Sequence, residues 1–179
     1  HLYRRRQRQM CIRDRFALKR NLMGYHNDIA KGEWQRNKQF CFFTHPIGDV
    51  AGSTLGVVGS GALGQATAAL AKAIGMQVIY AEHKGAHHCR KGYLPFEQVL
   101  MMADVLTLHC PLNERTHHLI GRHELAQMKP GSVLINTGRG GLVDEAALVE
   151  ALKRGTIAGA GVDVSVSYTH LRAHETLLD

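Results

Sequence analysis

The chain has 179 residues, 45% of them hydrophobic and 21% charged, with four prolines and four cysteines. That suits a single domain large enough to bury a core, and no run of about 20 apolar residues is present to cross a bilayer. The formal net charge is +7, but six arginines crowd into the first fifteen residues. The basic character is therefore an end effect, which removes the case for a nucleic-acid partner.

Both ends read as foreign. Residues 5–14 resemble one reading frame of a transposase-type sequencing adapter, and residues 166–176 resemble a frame of the matching adapter in reverse complement. Segments 1–15 and 165–179 are accordingly expected to be adapter-like scar and stand outside the fold reasoning. They carry +5 and −1, so residues 16–164 keep +3. Cys41, Cys89 and Cys110 show no disulfide-like or C-x-x-C spacing, which fits a reducing cytoplasm. No signal peptide is read.

From Phe16 to Lys31 the spacing of Leu18, Leu22, Tyr25 and Ile29 predicts a helix with one apolar face, ended by Gly32. Glu33 to Asp49 is irregular and clusters Trp34, Phe40, Phe42 and Phe43. Those rings need a surface, either on their own domain or on another subunit.

Thr54–Val58 is a β-branched, apolar run fit for a buried parallel strand. It flows into Gly59-Ser60-Gly61-Ala62-Leu63-Gly64, a G-x-G-x-x-G, and then into good helix formers as far as Ile74. Gly75 stops that helix, Met76–Tyr80 is the next strand, and Glu82 sits near its end. A lone G-x-G-x-x-G is weak, but placed between a strand and a helix, with an acid about 20 residues on, it is the fingerprint of a dinucleotide site. Gly59 permits the tight turn, Gly61 lets backbone approach a pyrophosphate, and Gly64 lets helix and strand pack closely. The amides around Ala62 and Leu63, at the positive end of the helix dipole, can hold phosphate oxygens. Glu82 can accept from an adenosine ribose, favouring NAD over NADP, with His83 and Lys84 beside it to soften that preference.

Pro95–Met102 then reads as a helix, Val105–His109 as a strand ending at Cys110-Pro111, and Gly121–Met128 as a helix. Ser132–Thr137 is a strand followed by a glycine-bearing loop. Asp144 is placed to N-cap the helix Glu145–Lys153, which Gly155 closes, and Ile157–Val164 is the last strand. The alternation predicts an α/β fold, a doubly wound parallel sheet of Rossmann type in three αβα layers.

In such sheets ligands sit outside the carboxyl ends of the strands. Those ends carry Glu82, His109-Cys110-Pro111, Thr137-Gly138-Arg139-Gly140-Gly141 and Asp163. An arginine between glycines just past a buried strand suits a carboxylate clamp with two parallel hydrogen bonds. The twelve histidines include His87-His88 and His117-His118, but adjacent side chains diverge and no i, i+4 pair stands out, so no metal site is predicted.

These segments carry a resemblance. Ala51–Gly59, the His109-Cys110-Pro111-Leu112 turn, and Met128–Gly131 continuing through Asn136–Glu145 are similar to the D-isomer-specific 2-hydroxyacid dehydrogenases, in particular their glycerate dehydrogenase (hydroxypyruvate reductase) branch. The resemblance implies an NAD-linked reduction of a 2-keto acid to a D-2-hydroxy acid, such as hydroxypyruvate or glyoxylate, in a homodimer. It implies that Arg139 binds the substrate carboxylate and polarises the keto group. Ala62 and Leu63 would hold the pyrophosphate and Glu82 the ribose; Cys110 and Pro111 would line the adenosine side, and Thr137, Gly138 and Asp163 the nicotinamide side. Gly138 stands where the family often has Ala. On this reading 16–50 is a hinge helix and dimer arm, 51–164 the NAD-binding domain, and the chain a fragment of a two-domain protein. The family's catalytic Glu should fall near Tyr168, inside the adapter-like stretch, and its partner His has no counterpart; His170 and His174 are not candidates. Most of the substrate domain is also missing, so the fragment is expected to be inactive. The alternative is an NAD(H)-sensing, corepressor-like interaction protein of the same fold.

Overall fold

The β-branched runs that mark the strands all pair. The computed structural model describes residues 16–37 and 41–163; the expectations for the two adapter-like ends, Phe40 and Val164 lie outside them. Six parallel strands form one sheet: β1 (Thr54–Val58), β2 (Gln77–Ala81), β3 (Tyr93–Leu94), β4 (Val105–Leu108), β5 (Val133–Asn136) and β6 (Gly159–Val162), in the order β3-β2-β1-β4-β5-β6. The helices are α1 (Leu22–Ala30), α2 (Glu33–Arg36), α3 (Ala62–Ala73), α4 (Phe96–Met102), α5 (Arg122–Gln127) and α6 (Glu145–Lys153), with a 3-10 turn over Gly140–Leu142.

Successive strand residues point to opposite faces, and both faces are covered. Leu106, Leu108 and Leu134 pack with Phe96, Val99, Leu100, Leu125 and Leu148 from α4, α5 and α6. Leu55, Val57, Val105, Val133 and Ile135 pack on the other side with Ala68 and Ala71 of α3. Burial on both faces is why β4 and β5 read as continuous apolar runs. Truncating a fully buried leucine here, such as Leu134, costs about 2–5 kcal/mol. The predicted cap on α6 forms: the Asp144 carboxylate accepts from the Ala147 amide at 3.1 Å.

Three expectations are corrected: the single helix over Phe16–Lys31, the irregular run Glu33–Asp49, which opens with the helical turn α2 (Glu33–Arg36), and the start of the last strand. The helix predicted over Phe16–Lys31 is broken: a helical turn over 16–19 ends at Asn21, whose φ of 50° is left-handed, and α1 starts at Leu22. Asn tolerates that conformation, and the returning chain supports the break, with the Gly48 amide on the Lys19 carbonyl at 2.8 Å and Arg20 on Asp49 at 3.0 Å. Along the predicted apolar face Leu18 packs on the second core cluster, yet α1 itself buries no residue, and Leu22 and Ile29 are about half exposed. The strand β3 went unpredicted, because two residues are too few to show a period. Finally, β6 starts at Gly159 rather than Ile157.

The aromatic segment folds back on α1 in part. The Phe42 ring lies 5.7 Å from both Tyr25 and Trp34, and the Tyr25 hydroxyl donates to the His45 carbonyl at 2.9 Å. Phe43 remains 77% exposed. Among the described residues no helix is long and apolar enough to cross a membrane.

Candidate coenzyme and carboxylate site

Strand register brings the predicted residues to one edge. Ala81, Val58, Leu108, Asn136 and Val162 lie side by side across the sheet. The residues that follow each of them are Glu82, Gly59, His109, Thr137 and Asp163, so all five leave the same end, with neighbouring strands about 4.8 Å apart. Between β1 and β4 the winding reverses direction, which opens a crevice above their carboxyl ends.

The glycine turn lies in that crevice, and its three glycines answer to different neighbours. Gly59 has φ +94°, and a methyl there would sit 2.6 Å from the Cys110 backbone nitrogen. A methyl on Gly64 would fall 2.0 Å from the Gly59 carbonyl oxygen. Both are fixed by packing within the chain. Gly61, the N-cap of α3, has an ordinary φ of −65°, and a methyl there would meet nothing within 4 Å. Glycine at 61 serves as an N-cap, but no neighbour in the chain crowds it, so its backbone stays open to a group seated against it. Gly61 offers no side-chain cap, so the first amides of this 12-residue helix, at Ala62 and Leu63, turn their N–H groups to that space. The arrangement fits a dinucleotide pyrophosphate.

Glu82 is 4% exposed and fully engaged. Its two oxygens accept from Arg90 Nε and Nη2, each at 2.8 Å, and from the amides of His83 and Arg90, each at 3.0 Å. Arg90's fork above all, then the two amides, holds the carboxyl down to about 2. Arg90 stacks 3.9 Å over the Tyr93 ring, and the Tyr93 hydroxyl bonds Ser60 of the glycine turn.

On the β4 side Cys110 is half-buried, and burial pushes its thiol up. Pro111 is exposed, and its carbonyl accepts from Thr116 at 2.6 Å. On the β5 side Thr137 is buried and Gly138 half-buried. A methyl on Gly138 would meet the end of the Leu142 side chain at 3.2 Å, a contact that leucine can relax. Arg139 is exposed, with Nη1 donating to the Gly138 carbonyl at 2.8 Å. Asp163 is exposed, and its amide donates to Asn136 O at 3.1 Å.

Sequence reasoning missed the groups that hold these residues in place. Fully buried Asn136 accepts from the Gly138 amide at 3.1 Å and donates Nδ2 to the Arg139 carbonyl at 2.9 Å, fixing the loop that presents the guanidinium. A polar residue closing an apolar strand was the available signal. Arg90 and Tyr93 had none, since no spacing rule links them to Glu82. Among the described residues no group of three or more His, Cys, Asp or Glu could hold a metal ion.

The family model for the D-isomer specific 2-hydroxyacid dehydrogenase NAD binding domain matches residues 14–178. The chain belongs to this family. A glycerate dehydrogenase of Methylorubrum extorquens is 50% identical over 149 residues, covering 83% of this chain and 46% of that protein. Among solved structures, a glyoxylate reductase from Paecilomyes thermophila superposes with a TM-score of 0.77 at 35% identity, covering 93% of this chain and 50% of that one. D-lactate dehydrogenase with NAD+ from Lactobacillus jensenii does so with a TM-score of 0.78 at 32% identity, covering 91% and 48%. The chain thus spans about half the length of the relatives it matches, and the half it spans is their NAD-binding domain. These relatives are named as a dehydrogenase or reductase, which lends the sensing alternative no support.

Proposed function

We propose that the parent protein is a cytoplasmic, homodimeric oxidoreductase that reduces a small 2-keto acid, of the hydroxypyruvate or glyoxylate kind, to its D-2-hydroxy acid with NADH. The names of the relatives support that substrate class. The observation that carries it is the shared sheet edge, which sets the Gly61 cradle and Arg139 two strands apart on one crevice.

In this reading Gly59 and Gly64 shape the turn, and Gly61, Ala62 and Leu63 seat the pyrophosphate. Cys110 and Pro111 border the adenosine side; Thr137, Gly138 and Asp163 border the nicotinamide. Bound NADH supplies the hydride. Arg139 clamps the substrate carboxylate and draws charge from the keto oxygen, held in place by Asn136. Residues 51–164 make the coenzyme domain and 16–50 a hinge and dimer arm; the half-exposed Leu22, Ile29 and Trp34 support a subunit contact there.

The test is Arg139→Ala in a full-length protein carrying this domain. Turnover of hydroxypyruvate and glyoxylate should fall at least about 100-fold, the worth of a bidentate charge-assisted pair, while NADH still binds. Turnover within a few-fold of the parent would remove Arg139 from the role.

A further inference from the structure

Glu82 is positioned for a ribose but has nothing left to offer it. A carboxylate has about four lone-pair sites, and all four are met from within the chain: two by Arg90's side chain, one by Arg90's amide and one by His83's amide. It is also 4% exposed, whereas the Arg90 side chain is 54% exposed. Arg90 gives Nε and Nη2 to the fork, which leaves Nη1 and its two N–H donors outside the pair.

Arg90 is also tied to the coenzyme turn. It stacks on Tyr93, and Tyr93 bonds Ser60 between Gly59 and Gly61. The loop 83–92 replaces the helix that ordinarily joins neighbouring parallel strands, and the Glu82–Arg90 fork staples it at the mouth of the crevice. The charge follows the geometry. Arg90 cancels Glu82, so the mouth presents guanidinium N–H donors where an acceptor was expected.

We propose that Arg90, rather than Glu82, is the specificity-determining group at the adenosine ribose, and that the site therefore takes the 2′-phosphorylated dinucleotide, NADPH, as well as NADH. This rests on the coenzyme reading of the glycine turn. Glu82 serves as Arg90's anchor, and an anion at the ribose meets a guanidinium already held in place.

The experiment is a fluorescence titration of the chain with NADH and with NADPH at low and at about 0.3 M salt. NADPH should bind within about tenfold of NADH at low salt and lose more affinity than NADH on adding salt, because the extra phosphate contact is screened. Arg90→Ala should lower the NADPH-to-NADH affinity ratio at least tenfold. Where circular dichroism finds Arg90→Ala unfolded, Arg90→Met, which keeps an alkyl stem over Tyr93, carries the same test. NADPH binding more than 100-fold weaker than NADH, or an Arg90 variant that moves both coenzymes equally, overturns the proposal. Failure of both coenzymes to bind the folded wild-type chain overturns the coenzyme reading itself, and the proposal with it.

Discussion

Replacing Gly61 by alanine separates what the fold needs from what the ligand needs. A methyl at 61 meets no protein atom within 4 Å, and φ −65°, ψ −176° suits any residue. Alanine is a poorer N-cap than glycine by up to about 1 kcal/mol, while the stiffer unfolded chain returns about 0.4–1 kcal/mol. Stability should therefore stay within about 1 kcal/mol. Binding should not survive. Phosphate oxygens must come within about 2.9 Å of the Ala62 and Leu63 amides, and a methyl beside them holds the phosphate off. Two charge-assisted hydrogen bonds at about 1.5 kcal/mol or more each amount to about 3 kcal/mol, or roughly 100-fold in Kd. Gly64→Ala is the contrast: its methyl would lie 2.0 Å from the Gly59 carbonyl oxygen, an overlap with backbone that costs about 3 kcal/mol or more. Urea unfolding reads the first quantity and NADH titration the second. A Gly61→Ala protein that binds NADH within threefold of wild type refutes the cradle.

Glu82 links acid stability to Arg90. Its carboxyl lies near 2 when folded against an ordinary 4.5, so its contribution is complete above about pH 4.5 and is lost as pH falls towards 2. Thermal melts should show Glu82→Gln flattening that acid limb, and parallel curves for the two proteins would break the linkage. Asn136→Ala should destabilise the domain by about 1–3 kcal/mol through two lost hydrogen bonds. In a full-length protein it should also lower kcat/KM without loosening NADH; loss of NADH affinity alone would place Asn136 elsewhere. Cys110, half-buried with its thiol pushed up, should alkylate at least tenfold more slowly at pH 7.5 than exposed Cys41 and Cys89. Equal rates by peptide mapping would contradict the packing of the glycine turn against it.

The sheet was legible because its chemistry is local. Residues 55–58, 105–106 and 133–135 are unbroken apolar runs, and only a strand covered on both sides needs that. The glycine turn was legible for a related reason, since each glycine fills a separate requirement within six residues. Asp144 could be read because a cap is satisfied by amides two and three residues on. The break at Asn21 was not legible, because its cause is the Gly48 amide reaching the Lys19 carbonyl. A periodicity running through Leu18, Leu22, Tyr25 and Ile29 carries no mark of a contact made almost thirty residues away. The same limit hid β3, whose two residues are a strand only because Tyr80 and Ala81 lie beside them.

Glu82 shows where motif reasoning stops and geometry takes over. The motif assigns an acid at the end of β2 to the ribose because an unpaired carboxylate there can accept from the ribose hydroxyls. Whether it is unpaired depends on the loop that follows, and this loop returns an arginine eight residues later in a two-point fork. The pair then does two jobs with one set of bonds. It closes a crossover that has no helix, and it exchanges an acceptor for a donor at the crevice mouth. Coenzyme preference in this chain is thus decided by loop closure rather than by the residue type at position 82.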